Sequence, residues 1–240
     1  MVQALSGGKL RNVLPHPKKN VLFVAQEDRL SIFDPVQKKL TTQLASSAAN
    51  SVNLQTSGRV LFADDQGQVQ IVSELDGTLL KKFRVQRNAK SALAIDPEGR
   101  YLAAAGEDRR ITLWDLSKEK LLGNVLADVP IQNLRLNPKS KLLSAIGFDN
   151  SVGIYEWPTL RRIISLPSSE ETVLWCDTTM DGKRLLLASR RGIRVIDLEY
   201  GVGVLDLIQF SSPSLCLDVN DLQSTVFSYG EDDRLARYPL

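Results

Sequence analysis

GEDRRITLWDL, Gly106 to Leu116, decides how this chain is read. An acidic turn, Glu107-Asp108, leads into a short run built on Ile111, Leu113 and Trp114, and Asp115 closes it. Such a stretch suits an active-site loop or one unit of a scaffold, and recurrence separates the two. It recurs: LSIFD at 30–34, VQIVS at 69–73, VGIYE at 152–156, IRVID at 193–197 and, more weakly, LARYP at 235–239. The fourth residues are Phe33, Val72, Trp114, Tyr155, Ile196 and Tyr238, spaced by 39, 42, 41, 41 and 42. Independent strands do not fall on one period.

Each unit has the same grammar. A short apolar strand (SALAI, IQNLRL) precedes a turn such as DPEGR, NPKSK or MDGKR. A small-residue apolar strand follows (YLAAAG, LLSAIG, LLLAS), then a tight acidic turn, the anchor strand, a polar turn and a last strand such as LLGNVL or RRIISL. That is four strands of about five residues per unit, and no stretch carries a helical period over about ten residues. The expected fold is all-β: a six-bladed β-propeller of four-stranded antiparallel blades. One domain, 1–240, is expected, with blades near 10–45, 48–84, 89–127, 131–167, 172–209 and 214–240 plus 1–6. Blades pack face to face, so inner strands bury both faces and need not alternate strictly.

The residues Gly106-Glu107-Asp108 and Ile111-Thr112-Leu113-Trp114-Asp115 resemble the WD-repeat family. The resemblance covers nearly the whole chain and is strongest in the third and fourth repeats. The family's Gly-His pair is missing throughout, because His16 is the only histidine. The Asp–His–Ser/Thr–Trp hydrogen-bond chain of many family blades therefore has no histidine here, although Asp108 and Trp114 hold two of its positions. Apolar packing must carry the blades. The sixth repeat ends after its third strand; in the family the N-terminal segment supplies the outer strand of the last blade. The resemblance thus implies closure by Val2–Leu5, ahead of the flexible Ser6-Gly7-Gly8. The alternative is a strand inserted by a partner at the open edge.

Composition narrows the functional classes. Hydrophobic residues at 43% and charged residues at 24% describe an ordinary globular chain with a sizeable core. A net charge of +2 does not by itself point to nucleic acid. Two cysteines, Cys176 and Cys216, are no disulfide framework and favour a reducing compartment. No signal-peptide run opens the chain and no apolar run approaches the roughly 18 residues of a span, so the expectation is cytoplasmic or nuclear. No metal site is expected: the cysteines read as buried thiols. No cofactor is expected either, since SGGK at 6–9 lacks the length and following helix of a phosphate loop. His16, between Pro15 and Pro17, reads as a turn residue and leaves no nucleophilic constellation; the chain is not expected to be an enzyme.

Two surfaces remain. The second-to-third-strand turns are acidic: Glu27-Asp28, Asp64-Asp65, Glu107-Asp108, Asp149 and Glu231-Asp232-Asp233, with Arg190-Arg191 breaking the series in the fifth repeat. The bland explanation is turn chemistry, in which Asp bonds its own backbone and Arg29, Arg109 and Arg234 neutralise it. In the family the residue just before the turn's Asp often faces the channel mouth; that resemblance points to Glu27, Asp64, Glu107, Phe148 and Glu231 as a rim for a basic segment of a partner. The first-to-second-strand turns are basic: Lys18, Lys19, Arg59, Arg100, Lys139, Lys141, Lys183 and Arg184, against Glu98, Asp181 and Asp221. They suit phosphate or an acidic partner, or keep the surface soluble; no aromatic is interleaved for base stacking. Lys81-Lys82 and Arg161-Arg162 on fourth strands read as charges that discourage edge pairing. The functional expectation is an adaptor holding other proteins in a multi-subunit complex; the alternative is a component of a ribonucleoprotein or other nucleic-acid assembly.

Overall fold

Short apolar runs bounded by Gly, Asp and Asn fold here as meanders, each strand paired antiparallel with the next. The computed structural model describes residues 10–16, 19–45, 51–55, 58–63, 68–85, 92–96, 98–137, 139–189, 192–199, 204–209, 214–220, 225–230 and 235–239. Among these the chain is all-β, with no helix. It divides into two compact units, Met1–Leu122 and Gly123–Leu240.

In the first unit, β1 (Leu10–Pro15), β2 (Leu22–Gln26), β3 (Leu30–Asp34) and β4 (Lys39–Ala45) form one sheet in chain order. A second contains β5 (Ser51–Gln55), β6 (Arg59–Ala63), β7 (Gln68–Ser73) and β8 (Leu79–Arg84). A third contains β9 (Ala92–Ile95), β10 (Tyr101–Ala105), β11 (Arg110–Asp115) and β12 (Lys120–Leu126), whose last residues pass into the second unit. That unit has β13 (Ile131–Asn137), β14 (Leu142–Gly147), β15 (Val152–Glu156) and β16 (Arg161–Leu166), then β17 (Val173–Thr178), β18 (Arg184–Ser189), β19 (Gly192–Asp197) and β20 (Val204–Gln209). Its last described sheet is three-stranded: β21 (Ser214–Asn220), β22 (Thr225–Gly230) and β23 (Leu235–Pro239). The segment Val2–Leu5, expected to complete it, lies outside the described residues.

The second strand of a sheet is the most deeply covered. All six residues of β14 are buried, and so are Leu102, Ala103, Ala104 and Ala105 of β10. Consecutive residues on one strand serve different cores. Val60 and Phe62 of β6 pack with Phe23, Leu30 and Ile32 of the first sheet, while Leu61 between them packs with Leu93, Leu102 and Ala104 of the third. In the second unit, Leu142, Ile146 and Ile154 meet Val173, Cys176, Leu185 and Ile196. Outer strands are largely exposed instead: β12 and β16 contain only exposed and half-buried residues. Their charges are partly engaged: Lys81 pairs with Glu119, Arg162 with Asp128, and Arg161 with Glu156 at 3.2 Å. Exposed pairs of this kind contribute about 0–1 kcal/mol each.

The Asp that closes an anchor strand has a local reason. Asp115, buried at the end of β11, accepts from the Ser117 and Lys118 amides at 3.0 and 3.1 Å and from Ser117 Oγ at 2.6 Å. Asp34 takes the Val36 and Gln37 amides, and Asp197 the Glu199 amide. A short carboxylate that binds its own backbone two residues on sets this turn. Trp114 donates through Nε1 to Thr112 Oγ1 at 3.3 Å, within its own strand, and packs on the core between the second and third sheets. With no histidine available, the indole is satisfied locally.

Candidate partner-binding surfaces

The acidic turns divide their carboxylates by role. After β2, Asp28 is held by Arg29, with Nη2 at 2.6 Å from Oδ2. After β10, Asp108 Oδ1 accepts the Arg110 amide at 3.1 Å, and Arg109 turns the chain with φ 62°. After β14, Asp149 Oδ1 accepts the Ser151 amide at 3.0 Å and Ser151 Oγ at 2.6 Å; that hydroxyl, above all, holds its carboxyl below the usual range. The preceding residue points elsewhere. Glu27 and Glu107 are exposed, and among the described residues neither enters an ion pair; Phe148 is 55% exposed. Turn chemistry thus consumes Asp28, Asp108 and Asp149 and leaves Glu27, Glu107 and Phe148 available. Asp64 and Glu231 lie outside the described residues.

The basic set is likewise divided. Lys18 lies outside the described residues, and Arg59 and Arg100 are exposed in the first unit. Lys19 is not a free surface cation. It pairs with Glu74, which also meets His16 Nε2 at 3.1 Å; His16 Nδ1 accepts the Lys19 amide at 3.0 Å. His16 is buried and stacks on Phe23, centroids 5.9 Å apart. Since Nδ1 accepts, Nε2 carries the hydrogen donated to the carboxylate. Burial opposes ionisation of Glu74, but Lys19 and His16 outweigh it and hold its carboxyl below the usual range. This knot ties the first sheet to the second. Sequence reading placed His16 in a turn, where it does lie, and had no signal for a partner 58 residues away.

In the second unit the turns after β13 and β17 touch. Asn137 Nδ2 donates to the Thr178 carbonyl at 2.8 Å, Ser140 Oγ lies 3.2 Å from Thr178 Oγ1, and Lys139 Nζ is 3.1 Å from Met180 Sδ. Lys139, Lys141 and Lys183 are exposed, Arg184 is half-buried, and among the described residues none of the three lysines pairs with a carboxylate. Asp181, the one acid within these turns, is bound by Thr179 Oγ1 at 2.6 Å and the Lys183 amide at 3.0 Å, which lower its pKa, the hydroxyl most. Beside the turns a cleft of about 390 Å³ opens between the two sheets, lined by Leu142, Ile154, Ile163, Leu198, Gly182, Lys183 and Glu199. Sequence reading missed it.

Cys176 is a buried thiol whose pKa burial pushes up to about 12, so it is an inert packing group. Cys216 stands opposite Tyr229 in β21. Among the described residues no three Cys, His, Asp or Glu side chains gather as metal ligands, and no helix is long and apolar enough to cross a membrane.

Comparison with known proteins adds a family. Residues 77–115 match the WD40 family model, described as WD domain, G-beta repeat. U3 small nucleolar RNA-associated protein 21 of Saccharomyces cerevisiae is 26% identical over 65% of this chain and 17% of its own length. WD repeat-containing protein 36 of Homo sapiens is 27% identical over 50% of this chain and 14% of its own length. Intraflagellar transport protein 122 homolog of Mus musculus is 26% identical over 68% of this chain and 12% of its own length. The chain therefore spans less than a fifth of these curated relatives.

Proposed function

Because the chain belongs to the WD-repeat family, we propose that residues 1–240 form one six-bladed β-propeller that works as a non-enzymatic scaffold, holding other proteins within a multi-subunit complex. The repeat period and the succession of meander sheets support the architecture. In this reading Val2–Leu5 supplies the outer strand of the sixth blade. Deleting those residues is expected to lower the Tm by several degrees; an unchanged Tm would favour a strand donated by a partner.

The observation that carries the scaffold reading is the division of labour in the acidic turns. Glu27 and Glu107 are exposed and outside any described ion pair, whereas their neighbours Asp28 and Asp108 are tied into the turns. In this reading they act with Asp64, Phe148 and Glu231, the positions that the family resemblance points to, in receiving a basic segment of a partner. Such charges raise association rates and set specificity more than they add affinity. The test is a pull-down with the tagged chain at low and high salt, with and without nuclease. A near-stoichiometric, nuclease-resistant protein is expected, lost on combining Glu107→Lys with Glu231→Lys while the Tm is unchanged. Retention by that variant would remove the rim from the reading.

A second reading is favoured by the lysines of the β13–β14 and β17–β18 turns and by the printed name of the U3 RNA-associated relative. The chain would then sit in a ribonucleoprotein, with Lys139 and Lys183 on phosphates. Binding would be nuclease-sensitive and fall steeply with salt.

A further inference from the structure

We propose that the cleft between the fourth and fifth sheets, with the lysines beside it, is a docking groove for an extended acidic protein segment anchored by an aliphatic side chain. It rests on the scaffold reading and adds a surface distinct from the acidic rim.

The floor of the groove is aliphatic. Leu142 and Ile154 are buried in the core shared by the two sheets. Ile163 is 43% exposed because β16 bulges there: Ile164 stands opposite Ile154 and Arg162 opposite Tyr155, leaving Ile163 as the extra residue. Such an insertion redirects a side chain. Leu198 closes the other wall, its amide bonded to the Lys183 carbonyl at 2.7 Å. Gly182 keeps the turn close: a β-carbon there would lie 3.2 Å from Ser140 Cβ and 3.5 Å from Leu142 Cδ1. The volume, about 390 Å³, is at the small end of the roughly 300–1,000 Å³ of ligand clefts, enough for one or two aliphatic side chains rather than a folded element.

Glu199 is the one carboxylate among the described lining residues, and the positive excess beside the floor comes from the lysines of the two touching turns. Lys183 lines the groove, and Lys139 and Lys141 project from the turn that packs on Gly182. Asp181 is occupied by its own turn. An occupant must therefore bring carboxylates next to an apolar anchor. RNA fits less well. The groove offers no aromatic face: Trp175 is buried under the Arg135 guanidinium, 5.1 Å from the ring centroid, and Trp157 is buried too.

The test selects random dodecapeptides on the immobilised full chain and measures the selected peptides by fluorescence anisotropy, with a single-stranded RNA dodecamer as competitor. Enrichment of Leu, Ile or Val flanked by Asp or Glu is expected. Affinity is expected to fall about tenfold on Lys183→Glu and again on Ile163→Glu. Lys183→Ala, with an intermediate loss, guards against misfolding, and an unchanged Tm accompanies each variant. Binding must survive Glu107→Lys, so failure of the rim leaves this result standing. Peptides without acidic enrichment, peptides indifferent to Lys183 and Ile163, or an RNA dodecamer that binds at lower concentration through the same lysines would each overturn the proposal.

Discussion

Phe62→Ala is expected to cost about 3–5 kcal/mol, the largest effect of any single truncation considered. Phe62 is fully buried and sits in the core shared by the first and second sheets, against Phe23, Leu30 and Ile32. Sheets that pack face to face cannot collapse freely around a missing ring, because each is fixed by its own ladder. The loss is large against the roughly 5–15 kcal/mol that stabilises a typical domain. Phe62→Leu preserves apolarity and most of the volume and should cost less than about 1.5 kcal/mol. Denaturant titration of the two variants measures the difference. A cost below about 1 kcal/mol for Phe62→Ala would mean that the two sheets do not share a packed core.

Glu74→Ala should follow, at about 2–3 kcal/mol. The side chain is 8% exposed and takes hydrogen bonds from a buried imidazole and from the half-exposed Lys19. Its removal leaves the His16 Nε2–H without this acceptor in a buried site. Lys19 regains water, so the cost stays below that of breaking a fully buried pair. Glu74→Gln keeps an acceptor and separates charge from shape. Because Lys19 and His16 hold the folded pKa below the ordinary value of 4.5, ionisation of Glu74 stabilises the fold above that pH and the contribution is lost as pH falls through the folded pKa. The gap between wild type and Glu74→Gln should therefore narrow from neutral pH to about pH 3. A gap independent of pH would assign the effect of Glu74 to shape alone. Asp96, fully buried in the turn after β9, has the opposite sign. Burial, more than any other cause, raises its pKa, although the Arg100 and Tyr101 amides at 2.6 Å resist. Its contribution is fully present below the ordinary value of 3.8 and is lost as pH rises through the raised folded pKa.

Local elements are written in short stretches of the chain. A strand, a turn and the Asp that closes it are encoded within a few consecutive residues, so the period, the meander order and the anchor strand ending at Asp115 were legible from 106–116 outward. The turn-forming role of Asp108 and Asp149 was legible too, because an Asx turn involves only its neighbours. What depends on distant residues emerges only when the sheets pack. Alternation cannot say which core a side chain enters when both faces of a strand are buried, and only packing separates Leu61 from Phe62. Lys19 read as a surface cation until Glu74, 55 residues on, took its charge. The cleft draws its lining from Leu142 to Glu199 across two sheets. Its aliphatic residues look in sequence like any other strand residues, because a groove is made by the gap between elements and not by the pattern within one.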